Sequence, residues 1–373
     1  MGWPGSPGSS EDGASMSLQF AYNALAYRVV FGAGCLDELP REIERLGAKR
    51  AIVLSTPEQA AQGEDVARRL GDRCAGVFPR AAMHVPIETA RAAREEAKRL
   101  GADCAVAIGG GSTTGLGKAI ALESALPILA IPTTYAGSEM TPIYGITEAG
   151  LKKTGRDARV LPKTVIYDPA LTVGLPVALS VTSGMNAIAH AVEGLYAQDA
   201  NPIMSMMAEE GIRALAQGLP RVAESPADLD ARAGCLYGAW LCGAVLGSVG
   251  MALHHKLCHT LGGTWNLPHA ETHTVILPHA AAYNAPAVAE AMTRVARALG
   301  STSAPQALYD LAKGLGAPVA LRDLGMKESE LDRAAELATQ SPYWNPRPVE
   351  RGAIRQLLDD AFHGRGPAKS SRG

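Results

Sequence analysis

The run Ala105–Ala119, AVAIGGGSTTGLGKA, constrains this chain more than any other stretch. An apolar segment ends in three consecutive glycines and a hydroxyl pair, and an apolar-periodic segment follows. That order predicts a buried strand, a tight turn and a helix start. Glycine lets the backbone approach a ligand closely, and Ser112 or Thr113 is expected to cap the helix. A helix N-terminus offers free N–H groups and a partial positive charge, which suits a phosphate. A plain strand-to-helix turn is the alternative, but three glycines in a row are costly for a turn with no other task. Two better-known phosphate loops are excluded. A P-loop needs Gly where Ser112 stands and Ser or Thr where Ala119 stands. The Rossmann pattern G-x-G-x-x-G is found neither here nor in Gly32-Ala33-Gly34-Cys35-Leu36-Asp37. The turn is therefore expected to hold a diphosphate in a different way.

From Tyr27 to Asp168 short apolar runs alternate with helical patterns. Strands are predicted over Arg28–Phe31, Ala51–Ser55, Gly76–Phe78, Cys104–Ile108, Ile128–Ile131 and Val165–Tyr167. Amphipathic helices are predicted over Leu36–Leu46, Glu58–Leu70, Ile87–Leu100 and Thr113–Leu122. This alternation implies βαβ units and a mostly parallel sheet. Ligands on such sheets sit at the carboxyl ends of strands, where Ser55, Gly109, Gly110, Gly111, Ser112, Thr133 and Thr134 fall. Beyond about Leu175 strand runs become scarce and Ala/Leu-rich stretches dominate, as in Met185–Ala197, Ile203–Leu215 and Leu229–Val249.

A chain of 373 residues with 47% hydrophobic content is long enough for two domains. The pattern divides it into an α/β dinucleotide-binding domain over 16–175 and an all-helical substrate domain over 176–373, with the active site in the cleft between them. Residues 1–15 lack a basic and an apolar segment, so they read as a flexible leader and Met16 as a native start. A net charge of -2 gives no electrostatic case for nucleic acid or membrane. No apolar run reaches a membrane-span length. Six scattered cysteines without a C-x-x-C pair predict buried thiols in a reducing, cytoplasmic setting.

The histidines are unevenly placed. Six of nine fall between His254 and His279, and His190 lies on the first predicted helix of the second domain. Asn186/His190, His255/His259 and His269/His273 have i,i+4 spacing, so each pair shares one face if its stretch is helical. Such pairs make a metal site or a polar cleft wall. The zincin motif is excluded, because Lys256 stands where its Glu should follow the first His.

These residues together resemble the iron-containing (group III) alcohol dehydrogenase family. The matching pieces are Gly109-Gly110-Gly111-Ser112, Pro132-Thr133-Thr134 with Gly137-Ser138-Glu139, Asn186-x-x-x-His190, and His255-x-x-x-His259 followed by Asn266-x-Pro268-His269. The resemblance spans about Phe31 to Asn284. It implies a nicotinamide cofactor, NADH or NADPH, and a homodimer. Gly110, Gly111 and Ser112 would hold the diphosphate, and Thr133, Thr134, Ser138 and Thr141 would line the nicotinamide side. Ser55, Gly109, Tyr135 and Lys153 complete the expected cofactor set. The strand before Ser55 ends with no acid to repel a 2′-phosphate and no immediate Arg to favour one, so discrimination between NADH and NADPH is expected to be modest.

Two departures narrow the resemblance. Gly115 stands where the family's glycine turn continues with Asp. The family's metal site uses one Asp and three His, and its Asp position is Asn186 here, beside His190, His255 and His269. With Pro342-Tyr343-Trp344-Asn345-Pro346-Arg347-Pro348, the pattern is similar to the branch that reduces the carbon–carbon double bond of 2-maleylacetate to 3-oxoadipate and works without a metal. Losing the only anionic ligand agrees with that, since imidazoles and an amide hold a dication far more weakly. His259, His255, His190 and His269 are the expected catalytic groups, with His259 nearest the nicotinamide. Asn186, His254 and Tyr343 are expected to bind the small dicarboxylate enone. The competing readings are a metal-dependent alcohol dehydrogenase with Asn186 as a ligand, a nucleotide-binding protein without turnover, and a lyase of the dehydroquinate synthase type.

Overall fold

The computed structural model describes residues 20, 22–149, 151–341 and 343–367. The expected leader, the start at Met16, and Pro342 lie outside the described residues. Eight strands form the first half: β1 (Arg28–Phe31), β2 (Ala51–Leu54), β3 (Cys74–Phe78), β4 (Cys104–Gly109), β5 (Ile128–Pro132), β6 (Ile143–Glu148), β7 (Leu151–Arg156) and β8 (Thr164–Tyr167). Six of them make a parallel sheet in the order β1-β8-β5-β4-β2-β3. The parallel sheet is the one the alternation predicts. β2, β4 and β5 are buried along their whole length, which is why they read as continuous apolar runs. β6 and β7 form a separate antiparallel hairpin that the sequence pattern did not predict. The described side chains of β6 are only partly buried, so the hairpin has no apolar run to announce it.

Helices α1 (Leu39–Arg45) and α2 (Ala60–Leu70) pack on one face of the sheet. Helices α3 (Ile87–Arg99) and α4 (Gly111–Ser124) pack on the other. The chain leaves β2 outward toward β3, but leaves β4 in the opposite direction toward β5. The carboxyl ends of β2 and β4 therefore flank the crevice where the crossovers diverge, which is where open α/β sheets bind ligands.

Among the described residues no strand follows β8. Nine helices do: α5 (Val177–Leu195), α6 (Pro202–Glu224), α7 (Leu229–Ser248), α8 (Leu253–Trp265), α9 (His269–Asn284), α10 (Ala289–Ala298), α11 (Ala304–Gly314), α12 (Leu331–Gln340) and α13 (Arg351–His363). α5 is buried nearly all round from Ser180 onward, as expected of a helix apolar on every side. Asn201 caps α6 and Asp228 caps α7 through their side chains. α8 ends at Asn266, which takes the left-handed conformation at φ 53, and Pro268 precedes α9. The three i,i+4 pairs therefore lie on helices α5, α8 and α9. The largest core cluster joins Ala130, Tyr135, Val165 and Tyr167 to the helices, so the two halves share packing. All six cysteines are free thiols. Among the described residues no single helix is long and apolar enough to cross a membrane.

Candidate active site

The glycine turn begins where β4 ends. Gly109 has φ 145, a region that favours glycine, and a Cβ there would collide with Thr113 and lie 2.7 Å from Gln59 Oε1. A Cβ at Gly110 would lie 3.0 Å from Thr134 Oγ1. At Gly111 it would meet only Ala136 Cβ, at 3.8 Å. The fold thus demands glycine at 109, packs 110 tightly against Thr134, and leaves the Cβ side of 111 in ordinary contact only. The expected cap needs correction. α4 starts at Gly111 with Gly110 as its extended N-cap, so Ser112 and Thr113 lie inside the first turn and no side chain caps the helix. Its first N–H groups stay available to an anion. Ser55 Oγ and Thr113 Oγ1 are buried without a hydrogen-bond partner among the described residues. Orphaned hydroxyls, an uncapped helix and an open glycine suit a diphosphate.

The wall opposite is the loop after β5. Gln59 Nε2 donates to Thr133 Oγ1 at 2.8 Å, tying the β2 side of the crevice to the β5 side. Farther along, Lys118 of α4 donates to Ser138 O (2.7 Å), Thr141 Oγ1 (2.9 Å) and Ile143 O (2.6 Å). The Thr141 hydroxyl, expected to line the nicotinamide side, is thus engaged by this lysine. Lys118 is fully buried, and burial pushes its pKa down to about 7 against the opposing pull of Glu139. Two expected cofactor residues stand apart from the turn. Tyr135 is buried in the core with its hydroxyl 3.3 Å from Arg232 Nη1. Lys153 is exposed on the β6–β7 hairpin and pairs with Glu148 at 2.8 Å.

Gly137 joins this loop to the histidines. At φ 80 it presses on the backbone of Gly243 in α7, where an added Cβ would lie 3.1 Å from Gly243 Cα and 3.5 Å from His190 Cδ2. This close approach sets Ala136 O 3.4 Å from His190 Nε2. From there a chain of contacts runs inward. His190 Nδ1 lies 2.9 Å from His255 Nε2, and His255 Nδ1 lies 2.7 Å from Glu193 Oε2. Asn186 Nδ2 is 3.4 Å from His190 Nε2, and Asn186 Oδ1 is buried without a partner among the described residues. Burial, with His255 second, holds the His190 pKa well below the ordinary histidine range.

The other expected residues arrange around this chain. His259 is exposed midway along α8, its ring 6.1 Å from that of His255. His269, at the start of α9, has its ring 4.3 Å from His273. His254 is wholly buried and faces His273, Nε2 to Nδ1 at 2.9 Å, with Cys258 Sγ 3.6 Å away. Burial keeps the pKa values of His254 and His273 well below normal. The Tyr343 hydroxyl is buried and unpartnered among the described residues, and Lys256 Nζ sits 5.5 Å over its ring. Neighbouring Asn345 accepts from Leu253 N at 3.3 Å, which pins this segment to the start of α8.

Sequence reasoning missed Glu193 and Gln59, and singled out His273 only as the helix-face partner of His269. Glu193 follows His190 by three residues in an otherwise apolar helix, and a lone acid at that spacing was a usable signal.

Comparison with known proteins gives the family. The family model "Iron-containing alcohol dehydrogenase" matches residues 26–169, and "Fe-containing alcohol dehydrogenase family, C-terminal" matches 180–362. The chain belongs to the iron-containing alcohol dehydrogenase family. Maleylacetate reductase of Burkholderia cepacia is 66% identical over 94% of this chain and 99% of its own length. That of Pseudomonas sp. (strain P51) is 59% identical over 94% and 99%. The crystal structure of maleylacetate reductase from Agrobacterium tumefaciens superposes with a TM-score of 0.91 at 56% identity, covering 94% of this chain and 99% of that one.

The family's name raises the question of a metal. The four positions that would supply ligands are Asn186, His190, His255 and His269. None is anionic, and two of the ligand nitrogens, His190 Nδ1 and His255 Nε2, are bonded to each other. An Asp at 186 would set a negative oxygen near the His190 Nε2 lone pair, which needs a cation or proton between them. The Asn186 amide supplies an N–H there instead. Without an anionic ligand this set would hold a hard or borderline dication more weakly than one Asp and three His.

Proposed function

We propose that this chain reduces the carbon–carbon double bond of 2-maleylacetate to 3-oxoadipate with NADH or NADPH and without a metal. The observation that supports it is the junction at Ala136 and Gly137, which brings the wall of a diphosphate-binding crevice against a histidine pair closed by Asn186 instead of a cation. Gly110, Gly111 and Ser112 take the diphosphate, with Ser55 and Thr113 offering free hydroxyls. The bound cofactor supplies a hydride to the alkene carbon beta to the ketone. Negative charge then develops on the ketone oxygen as an enolate, and that oxygen needs a donor. His190 Nδ1–H serves once the oxygen displaces His255 Nε2. His259, exposed on α8, is placed to return a proton to the alpha carbon from solvent. Lys256 and Tyr343 offer a cation and a hydroxyl to a substrate carboxylate. Cytoplasmic location and a homodimer follow from the family resemblance.

The test is NADH and NADPH oxidation with 2-maleylacetate beside simple aldehydes, each with and without excess EDTA. Turnover of the enone alone, unchanged by chelation, is expected. Loss of activity on chelation, restored by iron or zinc, favours the metal-dependent alcohol dehydrogenase and overturns this reading.

A further inference from the structure

We propose that Glu193 is a positioning residue for the reduction, acting through His255 on His190; this rests on the reading that those two histidines meet the substrate. α8 has no cap of its own, because Ala252 stands at its N-cap. The Glu193 carboxylate, reaching across from α5 and fully buried, takes that place. Oε1 accepts from His254 N at 2.7 Å, and Oε2 accepts from Ala252 N at 2.9 Å and His255 N at 3.4 Å. One side chain thus fixes the start of the helix that carries His255 and His259.

The same carboxylate gives the histidine chain its direction. Backbone N–H groups only donate, so Glu193 is an acceptor there and an acceptor toward His255 Nδ1 as well. The His255 proton therefore sits on Nδ1. His255 Nε2 is then bare and accepts from His190 Nδ1–H. His190 Nε2 is bare in turn and accepts from Asn186 Nδ2, so its 3.4 Å contact with Ala136 O is not a hydrogen bond in this tautomer, and Asn186 Oδ1 is left as the orphan. Every bond in the chain points toward Glu193. The N–H that a substrate oxygen can claim belongs to His190, not His255. Without the carboxylate, His255 is free to carry its proton on Nε2, and the pair no longer presents the His190 N–H.

Two measurements test this. In ¹⁵N-histidine spectra of the wild-type protein, His255 Nδ1 is expected to carry a proton, and a bare Nδ1 overturns the proposal whatever the kinetics. Glu193→Gln keeps the size and one acceptor but removes the charge. It is expected to lower kcat about 10- to 100-fold while NADH Kd stays within about twofold. A purely structural glutamate would lower Tm and leave kcat per folded molecule unchanged, and that result also overturns the proposal. A protonated Nδ1 with unchanged kcat locates the failure in the substrate reading of the histidines, whereas a bare Nδ1 locates it in Glu193. Should Glu193→Gln not fold, the wild-type spectrum still decides. Glu193→Asp, which keeps the charge, then replaces it in the kinetics, with a shorter reach expected to lower kcat at constant NADH Kd.

Discussion

The two halves build their ligand surfaces from different materials. The α/β half uses backbone: an open glycine, an uncapped helix start and two orphaned hydroxyls. Its buried amine, Lys118, ties a wall in place and is hydrogen-bonded to Ser138, Thr141 and Ile143. The helical half uses side chains, in a line from Asn186 through His190 and His255 to Glu193. A diphosphate is the same in every such cofactor, so N–H groups and space suffice to bind it. A ketone that gains charge during reaction needs a donor of set orientation, which only a side chain with a fixed tautomer provides.

That contrast can be broken at three points. The largest effect is expected in the helical half. His190→Ala, which removes the donor, and His259→Ala, which removes the proton source, should each lower kcat by roughly 10²–10³-fold, with NADH Kd nearly unchanged. If both keep near wild-type kcat and only Tm falls, the histidines merely pack, and the side-chain half of the comparison fails.

A smaller effect is expected at the glycine turn. Gly111→Val should raise NADH Kd by about tenfold or more, which is about 1.4 kcal/mol. Tm should change little, because a Cβ there meets only Ala136 at 3.8 Å. Unchanged cofactor binding by calorimetry would show that the diphosphate does not approach this backbone.

The smallest effect separates the halves by pH. Burial lowers the pKa of His190, His254 and His273 well below normal and that of His279 to about 4. The unfolded chain then binds protons below about 6.5 that the native one does not, so stability is full above that value and is lost as pH falls. Lys118 works in another window. Its folded pKa of about 7 lies below its ordinary 10.5, so stability rises as pH climbs from one to the other. Tm measured against pH should show both slopes. His279→Leu should flatten only the acidic one, and an unaltered acidic slope would remove His279 from this account.

Much of this architecture was legible without coordinates, where the signal is local. β1 runs over the predicted Arg28–Phe31, and β2, β4 and β5 fall within a residue of their apolar runs. The i,i+4 spacing of His255 and His259 needed only a helix to put both on one face. The hairpin β6–β7 was not legible, because its partly buried strand carries no apolar run. Nor was the true helix start at Gly111, since Gly110 stands at the N-cap and no hydroxyl caps the helix.

The amino-acid sequence by itself determined the parallel sheet, the glycine turn after β4 and which histidines share a helix face. Periodicity and glycine placement report backbone conformation and burial one segment at a time. The tertiary structure alone decided that Lys118 locks the loop from Ser138 to Ile143, that Gly137 rests on Gly243, and that Glu193 caps α8 and orients His255. Each joins groups tens of residues apart on separate elements, apart from the shorter reach of Lys118. Such a contact depends on how helices pack and turn, and no spacing within one segment records that.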